Sequence, residues 1–121
     1  MKIPELNEGE RYAGIVIDSA TGQPTHHLIL LPSEAKSITW PDALTWAEQA
    51  GGALPTRQEQ ALLYVNLKPH FKGAWCWSSE QHAGYEGCAW IQDFNEGTQY
   101  LSGKGYKRRA RAVRRVPITE N

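Results

Sequence analysis

Nucleophilic catalysis needs a base beside the nucleophile and an orienting group behind that base. The chain offers two sets of residues of suitable type. Cys76 and His82 lie across a short loop and could be drawn as a thiol–imidazole dyad, although nothing in their spacing dictates that geometry. Ser78-Ser79-Glu80 has the types for proton transfer, but short hydroxyls and a carboxylate beside a strand end ordinarily satisfy loop amides. Of the histidines His26, His27, His70 and His82, the first two are adjacent in a β-branched and leucine-rich run. In a strand their rings point to opposite faces and do not chelate one ion. There is no HExxH, calcium-binding loop or Cys/His ligand cluster. Cys76 and Cys88 cannot make a zinc site by themselves and read as free, half-buried thiols. The expectation is therefore no metal, no cofactor and no enzyme, with Cys76 and Glu80 as the residues an enzyme would have to use.

The basic C-terminal segment carries the other chemistry. Lys104, Lys107, Arg108, Arg109, Arg111, Arg114 and Arg115 fall within twelve positions that hold no acid. SGKGYK (102–107) has two glycines and two lysines but not the GxxxxGK-S/T spacing of a phosphate cradle. If 109–116 is a strand, Arg109, Arg111, Val113 and Arg115 share one side, while Ala110, Ala112, Arg114 and Val116 share the other. With small residues turned into a sheet, most guanidinium groups are expected outside it. Guanidinium forks bind carboxylates and phosphates, so this face suits an acidic protein, a nucleotide or a nucleic acid. It equally suits the chain's own acids.

Charge distribution keeps both readings open. Net charge is zero over 121 residues, yet residues 1–60 hold eight acids against four bases and residues 61–121 hold five against nine. The length is that of one domain, 1–121, and at 40% hydrophobic residues it can bury a core. Five Trp and five Tyr suit packing and recognition alike, with core packing expected for about three of the indoles. A homo-oligomer is compatible with that aromatic content. MKIPELNEGERY lacks the apolar stretch of an export signal, and no apolar run approaches the ~20 residues of a membrane span, so a cytoplasmic location without membrane contact is expected.

The elements that would position these groups follow from local patterns. RYAGIVID (11–18) and HHLILLP (26–32) flank a Gly/Pro turn and predict an antiparallel hairpin over 11–32, with Ile15, Ile17, Leu28 and Leu30 as core positions. Residues 39–50 predict a helix, with Thr39 as N-cap, Pro41 in the first turn, Asp42 at the positive end and Gly51–Gly52 as the stop. Its apolar face is Trp40, Ala43, Leu44 and Ala47. Thr56-Arg57-Gln58-Glu59 is a capping box opening a second helix, which Pro69 ends and whose apolar residues are Leu62, Leu63, Val65 and Leu67. Short strands are predicted at 75–79, 88–94, 98–102 and 109–116. Strands, two helices, then strands make an α+β domain with the helices grouped together.

Four motifs occur in order: WPDALTWAEQAGGALPTRQEQALL, WCWSSE, AWIQDFNEGTQY and KRRARAVRRV. Over residues 37–117 this order resembles the Lcl C-terminal domain family, named for a bacterial collagen-like adhesin and common in bacterial and phage genomes. The family is similar to the C-type lectin-like fold, and to the formylglycine-generating-enzyme fold and the variable proteins of phage diversity-generating elements. The resemblance implies an antiparallel sheet that pairs the chain ends, two helices packed on it, and a loop-rich second small sheet. It implies that Trp77 and Trp90 are framework residues, that Leu54 and Pro55 lead into the second helix, and that Arg111, Ala112, Val113 and Arg114 lie on the last strand near the N-terminal one. The comparable strand reads AWIQDF and no EPN occurs, so the calcium-dependent sugar site of lectins is not implied.

The resulting expectation is a phage- or prophage-encoded, intracellular binding module. Its partner would be a host protein, a defence component among them, or a phage protein. The contacts would come from the loops between 80 and 108: Tyr85, Tyr100, Lys104, Tyr106, Lys107 and Arg108. The alternatives are a nucleotide or nucleic-acid binder that uses the basic 104–115 segment with Tyr100 and Tyr106 for stacking, and, third, an enzyme.

Overall fold

The computed structural model describes residues 2–118. The hairpin forms from β1 (Arg11–Ile17) and β2 (Pro24–Ile38). Asp18 builds the turn: its carboxylate accepts the Ala20 and Thr21 amides, and its carbonyl accepts the Gly22 amide. Leu28 and Leu30 are buried as expected, but Ile17 is 44% exposed and Ile15 only partly covered, while Ala13 and Val16 take the core positions. The register shift at Tyr12/Gly14, where Ala13 is the extra residue, is the cause. It inverts the two-residue alternation of β1 beyond it, whereas the shift at Val16/Ile17 has its extra residue, Thr25, in β2.

β2 runs past the expected end because the last strand stays paired to it as far as Ile38. Pro32 lies in the shifted segment between the Leu30–Val113 and Glu34–Arg111 pairs, where its missing N–H breaks no ladder bond.

Helix α1 (Trp40–Gln49) starts at Thr39, whose hydroxyl makes no capping bond. The Trp40 amide donates instead to the Lys104 carbonyl, 3.1 Å away. At the other end Gly51 and Gly52 donate to Glu48 and Ala47, the paired bonds of a Schellman stop. Gly52 then passes so close to the last strand that a Cβ would sit 2.1 Å from the Val113 carbonyl oxygen. Helix α2 (Arg57–Leu67) opens with the expected capping box, both reciprocal bonds present. Leu63 is buried and Leu62 and Leu67 pack against it, but Val65 faces solvent.

The remaining strands are β3 (Trp75–Gln81), β4 (Cys88–Asp93), β5 (Gln99–Gly103) and β6 (Arg108–Pro117). The molecule is α+β, with one six-stranded mixed sheet ordered β1-β2-β6-β3-β4-β5. The sequence reading of an antiparallel sheet beside a separate small one needs correction. Two antiparallel triplets are joined by a parallel contact between β3 and β6, registered at a single pair, Cys76 with Arg109. The helices are not grouped either. Adjacent strand residues face opposite ways: Ala112 packs with Ala43 and Ala47 of α1, Val113 with Leu63 of α2. Alanines at 110 and 112, opposite alanines of α1, leave room for that helix to approach the sheet. Trp77 fills the α1 side, fully buried, and donates to the Ile38 carbonyl at 2.8 Å.

Candidate functional site

The arginines of β6 divide between internal and external use. Arg114 makes a two-pronged contact with Glu10 (2.9 and 2.8 Å) and reaches the Glu5 carbonyl. Arg115 does the same with Glu59 (2.7 Å twice) and the Leu54 carbonyl. Both guanidinium groups are pushed up in pKa, first by the hydrogen bonds they donate to these carboxylates. Arg111 is the unexpected one. It is 8% exposed, lies over Phe71, and among the described residues donates only to the His70 and Leu31 carbonyls, with no partner for Nε. Burial lowers its pKa. Most guanidiniums are therefore not outside the sheet: the acidic N-terminal half takes Arg114 and Arg115, and the core takes Arg111.

Glu59 shows how costly that internal use is. It is almost fully buried and, besides Arg115, receives the Thr56 amide and His26 Nε2 at 2.7 Å. Burial alone would raise its carboxyl; the bonds from Arg115, Thr56 and His26, with the Arg115 charge, outweigh it and hold the group at about 2. Thr25 Oγ1 lies 2.9 Å from His26 Nδ1, so a hydroxyl–imidazole–carboxylate row exists. The Thr25 hydroxyl, however, donates to the Val16 carbonyl and has no proton to hand to the ring. His27 points the other way, to the Tyr12 hydroxyl.

The cations left over meet at one end of the sheet. Because β3 and β6 run parallel, both begin there, beside the end of β2. On the N-terminal side of the Cys76–Arg109 pair they part, opening a cleft of about 350 Å³ lined by Lys36, Lys72, Trp75, Lys107, Arg108 and Arg109, with Gly73 and Ala74 between. No carboxylate lines it among the described residues. Glu34 contacts Arg109 only at 3.6 Å, on an exposed side, a pair of small energetic weight. Arg108 is steadied by the Ser102 hydroxyl (3.0 Å) and lies over the Tyr106 ring.

Lys72 enters the cleft from a tight turn, Phe71–Ala74, closed by the Ala74 amide on the Phe71 carbonyl. It is the one non-glycine residue with positive φ, 51°, among those described, and Gly73 follows at 72°. That is the type I′ pattern, which favours Asn or Gly at the position lysine holds. Trp75, 41% exposed, stacks on Tyr100 across the strands, 5.2 Å between centroids and 13° between planes.

The six residues expected from sequence do not form one patch. Lys107 and Arg108 line the cleft and Tyr100 backs its aromatic wall. Lys104 bonds Gln81 at the far end of β3 and lies over Trp40. Tyr85 belongs to that far end as well, in a chain of rings with His82 and Trp90 that Arg57 covers. Tyr106, 66% exposed, packs on Gly103 and Arg108. Lys36, Lys72 and Trp75 were not expected. Lys36 and Lys72 are isolated bases in sequence, and only the Lys-Gly pair at 72–73 marks a turn.

The enzyme candidates are dispersed. Cys76 is buried on the α2 side, its thiol pushed up to about 12 by burial. Glu80 accepts the Arg57 amide, and His82 Nδ1 accepts the Gly84 and Tyr85 amides. A second groove, along Ile15, Ile17, Leu62 and Val65, is apolar, and its Gln58 is already engaged with the Ile17 carbonyl. No helix among the described residues is long and apolar enough to cross a membrane. No family model matches this chain, and no curated protein matches it.

Proposed function

We propose that this protein is a non-enzymatic binding module that recognises an anionic partner at the open end of the β3/β6 junction. One observation carries the reading: five cations from three separate segments converge on a cleft that no carboxylate of the described residues lines, although β6 spends Arg114 and Arg115 on the chain's own carboxylates. A cleft lined by one sign of charge concentrates counter-charged ligand. The burial of Cys76 and the occupied hydroxyl of Thr25 favour binding over catalysis.

Two anionic partners suit this surface: an acidic segment of a host protein, a defence component among them, in the intracellular phage or prophage setting that the resemblance implies, and a nucleotide or nucleic acid held by the basic 104–115 segment. The C-type lectin-like description of the fold belongs to the same proposal. It is supported by the pairing of the last strand with the N-terminal hairpin and by the second strand triplet. The test is binding of short polyanions, an acidic peptide and an oligonucleotide, measured by fluorescence anisotropy at low salt. Affinity for at least one, reduced several-fold by joint Lys107→Ala and Arg108→Ala substitution, supports the reading. Absence of any polyanion binding refutes it.

A further inference from the structure

Resting on that reading, we infer that the anionic partner is a single-stranded nucleic acid, with phosphates in the cleft and a base extending the Trp75–Tyr100 stack. Carboxylates and phosphates are equally attracted by lysine, so charge does not choose between them. The aromatic wall does. Trp75 and Tyr100 are nearly parallel, both are more than a third exposed, and Trp75 itself lines the cleft. A stacked pair left open to solvent beside a row of cations is the arrangement on which unpaired bases pile while the backbone tracks the charge. An acidic peptide segment has no flat group to place there.

The cations suit the same ligand. Arg108 lies over the Tyr106 ring and is held by Ser102, so its guanidinium is a fixed plane as well as a charge. Lys36, Lys72 and Lys107 are exposed, as backbone contacts are. A duplex fits poorly. Its bases are already stacked and cannot extend the Trp75 stack, and a neutral chain provides no wide basic face for two strands.

The size of the cleft limits the number of phosphates. With about three to five contacts, the slope of log affinity against log salt should be about −2 to −3.5 for a single strand. Stacking on Trp75 should contribute about five- to a hundred-fold in affinity.

The experiment titrates a labelled short oligothymidylate, the duplex of equal length, and an oligoglutamate peptide of matched charge against the whole chain across salt concentrations. The inference expects the single strand to bind tightest, with that slope. It expects Trp75→Ala to weaken the single strand at least five-fold while leaving the peptide within two-fold. Trp75→Phe should restore most of the loss, which separates stacking from packing. Because Trp75 is 41% exposed and stacks on Tyr100, circular dichroism and melting temperature are recorded for both variants, and the affinities are compared where each is fully folded. Tight peptide binding that is indifferent to Trp75 would overturn the nucleic-acid assignment and leave the anion reading standing. A duplex bound as well as the single strand would overturn the stacking mode. No binding of any of the three would remove both proposals.

Discussion

Replacing Lys72 should stabilise the protein while weakening its cleft. Lys72 holds φ at 51° in the Phe71–Ala74 turn, a left-handed conformation that costs an ordinary L-residue about 1–2 kcal/mol and that asparagine adopts more readily. Its side chain is exposed, so little packing is lost on removing it. Lys72→Asn should therefore gain about 0.5–1 kcal/mol, which for a chain of this length raises the melting temperature by about 2–5 °C. Lys72→Ala supplies the control. It removes the same charge but keeps the backbone cost, so its melting temperature should stay near that of the parent. Both should weaken polyanion binding equally and flatten the salt slope by about 0.7, one phosphate contact. Thermal melts by circular dichroism and anisotropy titrations read the two effects separately. If Lys72→Asn melts lower than Lys72→Ala, the turn is not strained by lysine. If both bind like the parent, Lys72 is not part of the anion site. A residue that costs stability where it stands but supplies charge to a cleft is the pattern of backbone strain retained for function.

Three further outcomes follow from the packing. Glu59 sits at about 2 in the folded chain against 4.5 as its ordinary value, so it contributes about 3 kcal/mol. That contribution is fully present above pH 4.5 and lost as pH falls through 2. Urea midpoints should drop steeply over that range, and Glu59→Gln should be less stable by about 3 kcal/mol at neutral pH with a shallower acid limb; a parallel pH profile for parent and variant would refute the assignment. Gly52→Ala places a methyl 2.1 Å from the Val113 oxygen and should cost about 3 kcal/mol or more, visible as loss of the cooperative melt; a normal melt would show that the crossing of the α1–α2 link over β6 relaxes easily. Cys88, partly exposed, should alkylate in the native protein, while Cys76, buried with its thiol near 12, should react only on unfolding. Peptide mapping by mass spectrometry after a timed iodoacetamide pulse distinguishes them, and early labelling at Cys76 would contradict its burial.

Local chemistry was legible from the sequence because it acts within a few residues. The Thr56–Glu59 capping box, the Gly51–Gly52 helix stop and the strands expected at 75–79, 88–94, 98–102 and 109–116 all follow from short-range spacing, and the structure has each of them, the strands ending within two residues of those bounds. Periodicity failed where the chain slips register: Val16 and Ala13 displace Ile17 and Ile15 because a bulge at Ala13, which leaves no compositional mark there, inverts the faces of β1. The destinations of the arginines were decided by tertiary structure. Arg114 and Arg115 are consecutive and identical in type, yet one meets Glu10 and the other Glu59, since alternation along β6 sends them to opposite faces. The cleft is likewise a product of topology. Lys36, Lys72 and Lys107 are about 35 residues apart in succession, and only the parallel junction of β3 with β6, next to the end of β2, brings them together. Side-chain type sets what a residue can bind, and short-range pattern sets its element. Which charges meet a partner within the chain and which remain free for a ligand depends on strand order, a property of long-range pairing that no window of sequence contains.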